Sequence, residues 1–135
     1  MNSKMFNFLL LLLAGMNFIL CSSSLHNSVI KKSEKDDQGT VRLTPGDTLK
    51  VVLNENLSTG YKWEIISIDT CRLTMIHSEY LPDKENMKIM GRGGKVIKLF
   101  KARNKGESEL RLICKRSFGK EDSVVKKFKL TVIIE

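Results

Sequence analysis

From Gly39 onward, apolar residues recur at every second position, and this period limits the chain to half-buried strands. Leu49, Val51 and Leu53 alternate with Lys50 and Val52, and Leu110, Leu112 and Cys114 alternate with Arg111 and Ile113. Near the C-terminus Phe128, Leu130, Val132 and Ile134 alternate with Lys127, Lys129, Thr131 and Ile133. Further strands are expected at Thr40 to Leu43, Tyr61 to Ile66, Arg72 to Ile76 and Lys95 to Ala102. Turn chemistry separates them: Pro45-Gly46-Asp47, Ser58-Thr59-Gly60, Asn104-Lys105-Gly106 and Phe118-Gly119. About seven short strands without a helix of useful length predict an all-β chain, an immunoglobulin-like β-sandwich of about seven antiparallel strands. The alternation weakens from Met75 to Met90, where a long loop is expected.

With 135 residues, 41% of them hydrophobic and 28% charged, the chain has room for one globular domain. Its first 21 residues read as a signal peptide: Lys4, an apolar run from Phe8 to Leu13 continuing to Leu20, then Ser22, Ser23 and Ser24. Asn17 inside the run, with no basic cluster directly after it, disfavours a membrane anchor. Bulky Leu20 before Cys21 disfavours lipidation. Export places the protein in the secretory pathway, secreted or held in lysosome- or phagosome-like vesicles, with no stable membrane insertion after cleavage. Residues 22–38 are polar and mixed in charge and are expected to form a flexible N-terminal arm, leaving residues 39–135 as the domain. Losing Lys4 lowers the net charge from +8 to +7. The basic residues are spread among acids, and an exported protein rarely meets nucleic acid, so a solvated surface or steering toward an acidic protein is the reading, with no nucleic-acid partner.

The inventory for catalysis is short. The histidines are His26, in the arm, and His77, after a strand; no pair has metal-ligand spacing. Neither Cys71 nor Cys114 has a neighbouring histidine that would activate a thiolate. An oxidising compartment permits a disulfide between Cys71 and Cys114, and two buried free thiols fit the pattern equally. The acidic pairs Asp36-Asp37 and Glu121-Asp122 read as solvated turns. Gly91-Arg92-Gly93-Gly94 precedes a strand and no Gly-Lys-Ser/Thr follows, so it is not a phosphate-binding loop. No enzyme, metal or cofactor is expected.

Three loops are unusual: Asn56-Leu57-Ser58-Thr59-Gly60-Tyr61-Lys62-Trp63, Gly91-Arg92-Gly93-Gly94, and Arg116-Ser117-Phe118. Their order and spacing resemble the chagasin family of cysteine-protease inhibitors, whose loops read Asn-Pro-Thr-Thr-Gly-Tyr/Phe-x-Trp, Gly-x-Gly-Gly and Arg-Pro-Trp. The resemblance runs from about Val41 to Glu135. It implies a reversible, tight-binding, non-covalent inhibitor of papain-family enzymes, cathepsin L-like among them, acting as a monomer that inserts three loops into the active-site cleft. Asn56, Leu57, Ser58, Thr59 and Gly60 would then sit beside the protease's catalytic cysteine and histidine. Gly91, Arg92, Gly93 and Gly94 would run along the non-primed side, and Arg116, Ser117 and Phe118 would brace the primed side. Tyr61 and Trp63 read as loop anchors that open the next strand.

Two departures bear on affinity: Leu57 stands where the family has proline, and Ser117-Phe118 replaces Pro-Trp. Asn56-Leu57-Ser58 is also the chain's only N-glycosylation sequon. A glycan there would block entry into a narrow cleft, so the active protein is expected to carry Asn56 bare. The competing reading is a secreted or lipid-anchored immunoglobulin-like adhesion module that binds without inhibiting a protease.

Overall fold

The computed structural model describes residues 27–84, 91, 93–117 and 124–135. The expected signal peptide, Cys21, His26, Arg92 and Phe118 lie outside the described residues. Eight strands are present among those described: β1 (Val29–Ser33), β2 (Gly39–Leu43), β3 (Thr48–Glu55), β4 (Tyr61–Ser67), β5 (Leu73–Pro82), β6 (Gly94–Ala102), β7 (Gly106–Arg116) and β8 (Lys126–Ile134). They form two four-stranded sheets, ordered β1-β3-β6-β5 and β2-β8-β7-β4.

The period-two residues meet between the sheets. Leu49, Val51 and Leu53 of β3, Phe100 of β6, Leu110 and Leu112 of β7 and the four alternating residues of β8 are all buried in one core. Their removal from water is the main driving force for folding, on the order of 1.5–3 kcal/mol for each large apolar side chain. At the Pro45-Gly46-Asp47 turn, Gly46 takes the left-handed region at φ 100. The buried Asp47 carboxylate there accepts the backbone N–H groups of Ser28 at 2.9 Å and Thr44 at 2.8 Å.

Three expectations need correction. First, residues 22–38 are not an arm throughout: Val29–Ser33 is a strand, pairing in parallel with β3 so that Ile30 lies opposite Leu49. Backbone pairing to an exposed sheet edge holds this segment, and edge pairing needs no run of apolar side chains. A 3-10 turn at Glu34–Asp36 then carries the chain over to the second sheet, where β2 pairs in parallel with β8. The strands among the described residues therefore number eight, with two parallel pairings among otherwise antiparallel ones.

Second, the segment after Met75 is not a loop at its start, because β5 runs on to Pro82 along β6. A bulge between Met75 and His77 shifts its register, and most of its side chains are exposed. An edge strand with that interruption has no apolar alternation to read.

Third, Cys71 and Cys114 are free thiols, the first exposed and the second buried. Asn104 binds the Cys71 carbonyl near the start of β7, while Cys114 lies eight residues along that strand, roughly 26 Å away, far beyond disulfide reach. Burial pushes the Cys114 thiol above its ordinary pKa, which keeps it protonated and inert.

Candidate functional site

The central loop is built by its own sequence. β3 ends at Glu55 in one sheet and β4 begins at Tyr61 in the other, so residues 56–60 cross the end of the sandwich. Asn56 caps a single 3-10 turn at Leu57–Thr59: its Oδ1 accepts the Ser58 backbone N–H at 3.2 Å and the Ser58 hydroxyl at 2.6 Å. The Thr59 hydroxyl donates to the Asn56 carbonyl at 2.8 Å. Gly60 closes the turn in the left-handed region, φ 78, where a side chain would be strained.

Both flanking loops are bonded to this turn. Asn56 Nδ2 donates to the Gly91 carbonyl at 3.1 Å. Gly93 and Gly94 follow into β6, with Gly94 opposite Glu55 of β3 and Pro82 of β5. A Cβ on Gly93 would lie 3.3 Å from the Glu55 carbonyl oxygen, so the missing side chain is what lets this loop lie against the central one. On the other flank Tyr61 of β4 lies opposite Arg116 of β7. Ser117 N–H donates to the Gly60 carbonyl at 3.2 Å, and Arg116 Nε donates to the Thr59 carbonyl at 3.1 Å. The structure therefore brings together Asn56, Leu57, Ser58, Thr59, Gly60, Gly91, Gly93, Gly94, Arg116 and Ser117 at one end of the sandwich. Leu57, Ser58 and Thr59 are exposed at its tip.

The base of the loop is polar and buried. Trp63, 4% exposed, donates its indole N–H to the Asn54 carbonyl at 2.8 Å, while Tyr61 is half-buried against the core. Glu55, 7% exposed, accepts the Trp63 backbone N–H at 2.7 Å. Lys98 of β6 is also buried, with Nζ 3.1 Å from the Ser78 hydroxyl. Burial lowers its pKa, and the negative charge of Glu55 opposes that shift.

Sequence reasoning missed Glu55 and Lys98, although a signal existed. Glu55 continues the inward series Leu49, Val51, Leu53, and Lys98 sits between the inward-facing Val96 and Phe100. An ionisable residue at an inward position of a period-two strand marks a place where the core meets a polar end. Among the described residues, no group of three or more His, Cys, Asp or Glu side chains could hold a metal ion.

Residues 42–132 match the chagasin family of peptidase inhibitors. The chain belongs to that family. A chagasin-family protein is an inhibitor and not an enzyme. Over 87 residues the chain is 27% identical to Amoebiasin-1 of Entamoeba histolytica, covering 64% of this chain and 82% of that protein. Its fold is similar to the crystal structure of EhICP2, a cysteine protease inhibitor of Entamoeba histolytica. The TM-score is 0.70 at 21% identity, covering 82% of this chain and 98% of the other. It is also similar to PbICP-C as solved in complex with falcipain-2, with TM-score 0.59 at 15% identity over 81% of this chain and 92% of the other. The shared architecture is the immunoglobulin-like β-sandwich.

Proposed function

We propose that this chain inhibits papain-like cysteine proteases reversibly and without a covalent step, by entering the active-site cleft with the three-loop end of the sandwich. The observation that carries this reading is the hydrogen-bonded unit centred on Asn56. The side chain of Asn56 joins the Gly91 loop, and the carbonyls of Thr59 and Gly60 join the Arg116-Ser117 loop, so the three form one pre-set edge. Loops fixed in this way lose little conformational entropy on docking. The Ser58 and Thr59 hydroxyls at the tip have their protons committed to Asn56 and so present acceptor lone pairs to the imidazolium of the protease's thiolate-imidazolium pair, and the tight turn offers no extended peptide for cleavage.

The same reading makes the protein a monomer directed at cathepsin L-like enzymes. It travels the secretory pathway after removal of residues 1–21 and acts outside the cell or in lysosome- or phagosome-like vesicles. EhICP2, solved as a cysteine protease inhibitor, and PbICP-C, solved in complex with falcipain-2, support the choice of target class.

The deciding experiment titrates residues 24–135 against papain and a cathepsin L-like enzyme with a fluorogenic peptide, with a serine protease as control. The expected result is stoichiometric, reversible loss of cysteine-protease activity alone, with the inhibitor recovered intact. Folded protein without effect at micromolar concentration would overturn the proposal and leave an adhesion module. Thr59→Trp and Gly93→Leu should abolish inhibition but spare adhesion.

A further inference from the structure

Asn56 is the acceptor residue of the chain's only N-glycosylation sequon, Asn56-Leu57-Ser58, and it stands at the centre of the three-loop edge. We propose that Asn56 is N-glycosylated in a fraction of the protein and that this glycan holds that fraction inactive, so occupancy sets how much inhibitor is active. The switch rests on the inhibitory reading above, and the acceptor site rests only on the passage through the secretory pathway proposed there.

Three structural facts support it. The sequon lies in an exposed turn, with the Ser58 hydroxyl 2.6 Å from Asn56 Oδ1, the pairing that a sequon hydroxyl can make. Asn56 Nδ2, the atom that would carry the sugar, is aimed at the second loop, 3.1 Å from the Gly91 carbonyl. A sugar there would stand between two loops that must enter a cleft together. Lastly, the partners that lock the turn arrive late: Gly91 is 35 residues downstream, and Arg116, which binds Thr59, is 57 residues downstream of it. At a synthesis rate of about 5–20 residues per second, the sequon waits roughly 3–11 s for Arg116. During that interval Asn56 Nδ2 lacks its Gly91 partner and is open to modification, and folding afterwards closes the acceptor.

The reaction consumes a polyprenyl-diphosphate-linked oligosaccharide. Asn56 Nδ2 loses one proton and bonds to the anomeric carbon of the first sugar. The bond from that carbon to the diphosphate oxygen breaks, and the polyprenyl diphosphate leaves with the electron pair. One N–H remains on Asn56 after transfer.

Leu57→Pro supplies the control, because proline at the middle position abolishes a sequon and agrees with the family's loop pattern. The full chain is translated in the presence of microsomes and, separately, secreted from a glycosylating cell line. Intact mass and peptide mapping are read alongside papain titration of the lectin-separated forms. The expected result is a heavier form modified at Asn56, reduced by an endoglycosidase and missing in Leu57→Pro, that inhibits at least 100-fold more weakly than bare protein. Bare Asn56 throughout, while a control glycoprotein in the same cells is modified, would overturn the acceptor site. Equal inhibition by both forms would overturn the switch. Bare protein from bacteria that fails to inhibit papain would sink the inhibitory reading and the switch with it. The mass measurement uses no protease and still decides the acceptor site.

Discussion

Glu55 and Trp63 lie in different sheets, and the carboxylate of the first accepts the backbone N–H of the second at 2.7 Å in a buried setting. Removing the acceptor leaves a buried donor without a partner, which costs about 1–3 kcal/mol. Glu55→Ala should lose that much stability in urea unfolding. Glu55→Gln keeps an acceptor and should recover most of it. If Glu55→Ala were as stable as the parent, the contact would not anchor the loop base.

Arg116 spans the third loop and the centre: its guanidinium carbon lies 5.4 Å from the Tyr61 ring centroid, and its Nε donates to the Thr59 carbonyl. A cation–π contact contributes about 0.5–1 kcal/mol at an exposed site, and a hydrogen bond a similar amount. Arg116→Ala should weaken papain inhibition roughly 5- to 30-fold, since every 1.4 kcal/mol is tenfold in affinity. Arg116→Lys should rescue little, because an ammonium cannot reproduce the planar fork. Inhibition constants for the three proteins check this.

Leu57 opens the 3-10 turn at its exposed tip and is not part of the hydrophobic core, so replacing it removes no core packing. Asn56 before it is extended, φ −126 and ψ 94, a conformation that proline tolerates in its predecessor. Leu57→Pro should therefore raise stability by about 0.4–1 kcal/mol through the unfolded chain. Bare protein carrying it should inhibit about two- to fivefold more tightly, as less ordering remains on docking. Chemical denaturation and titration against papain measure the two effects; weaker binding would mean the loop needs its freedom.

Asp36 accepts the Ser33 backbone N–H at 2.8 Å and the Lys32 ammonium at 3.2 Å, and these contacts, Ser33 first, hold its carboxyl below the usual 3.8. A folded-state pKa below the unfolded value gives stability that is present above about pH 3.8 and lost as pH falls through the folded value. Asp36→Asn should be less stable than the parent at pH 7 by under about 1 kcal/mol, since the site is solvent-screened. The gap should close below pH 3.8. Urea unfolding at pH 7 and in acid tests the sign; a gap that widens in acid would refute it.

What the sequence revealed followed burial. The inward residues of β3, β7 and β8 were legible because apolar side chains recur there at every second position, with Lys, Arg or Thr at most of the positions between. β1 and the far half of β5 were not, since both sit at sheet edges where backbone pairing holds the strand without an apolar face. The loop motifs alone place Asn56, Gly93 and Arg116 in the same neighbourhood. Their mutual bonds were not legible, because they depend on carbonyls of Thr59, Gly60 and Gly91 that every residue carries. Lys98 and Glu55 were hidden by charge, which composition assigns to the surface.

The three loops differ in what they connect. The outer two join strands that are neighbours within one sheet, β5 to β6 and β7 to β8, whereas the central one passes from sheet to sheet. Its length is therefore tied to the sheet separation, about 10 Å in such sandwiches. The outer two can gain or lose residues at their tips without disturbing a strand. Adaptation to a new protease is thus a matter of resizing the flanks around a middle of fixed length, and insertions will be tolerated in the flanks before the centre.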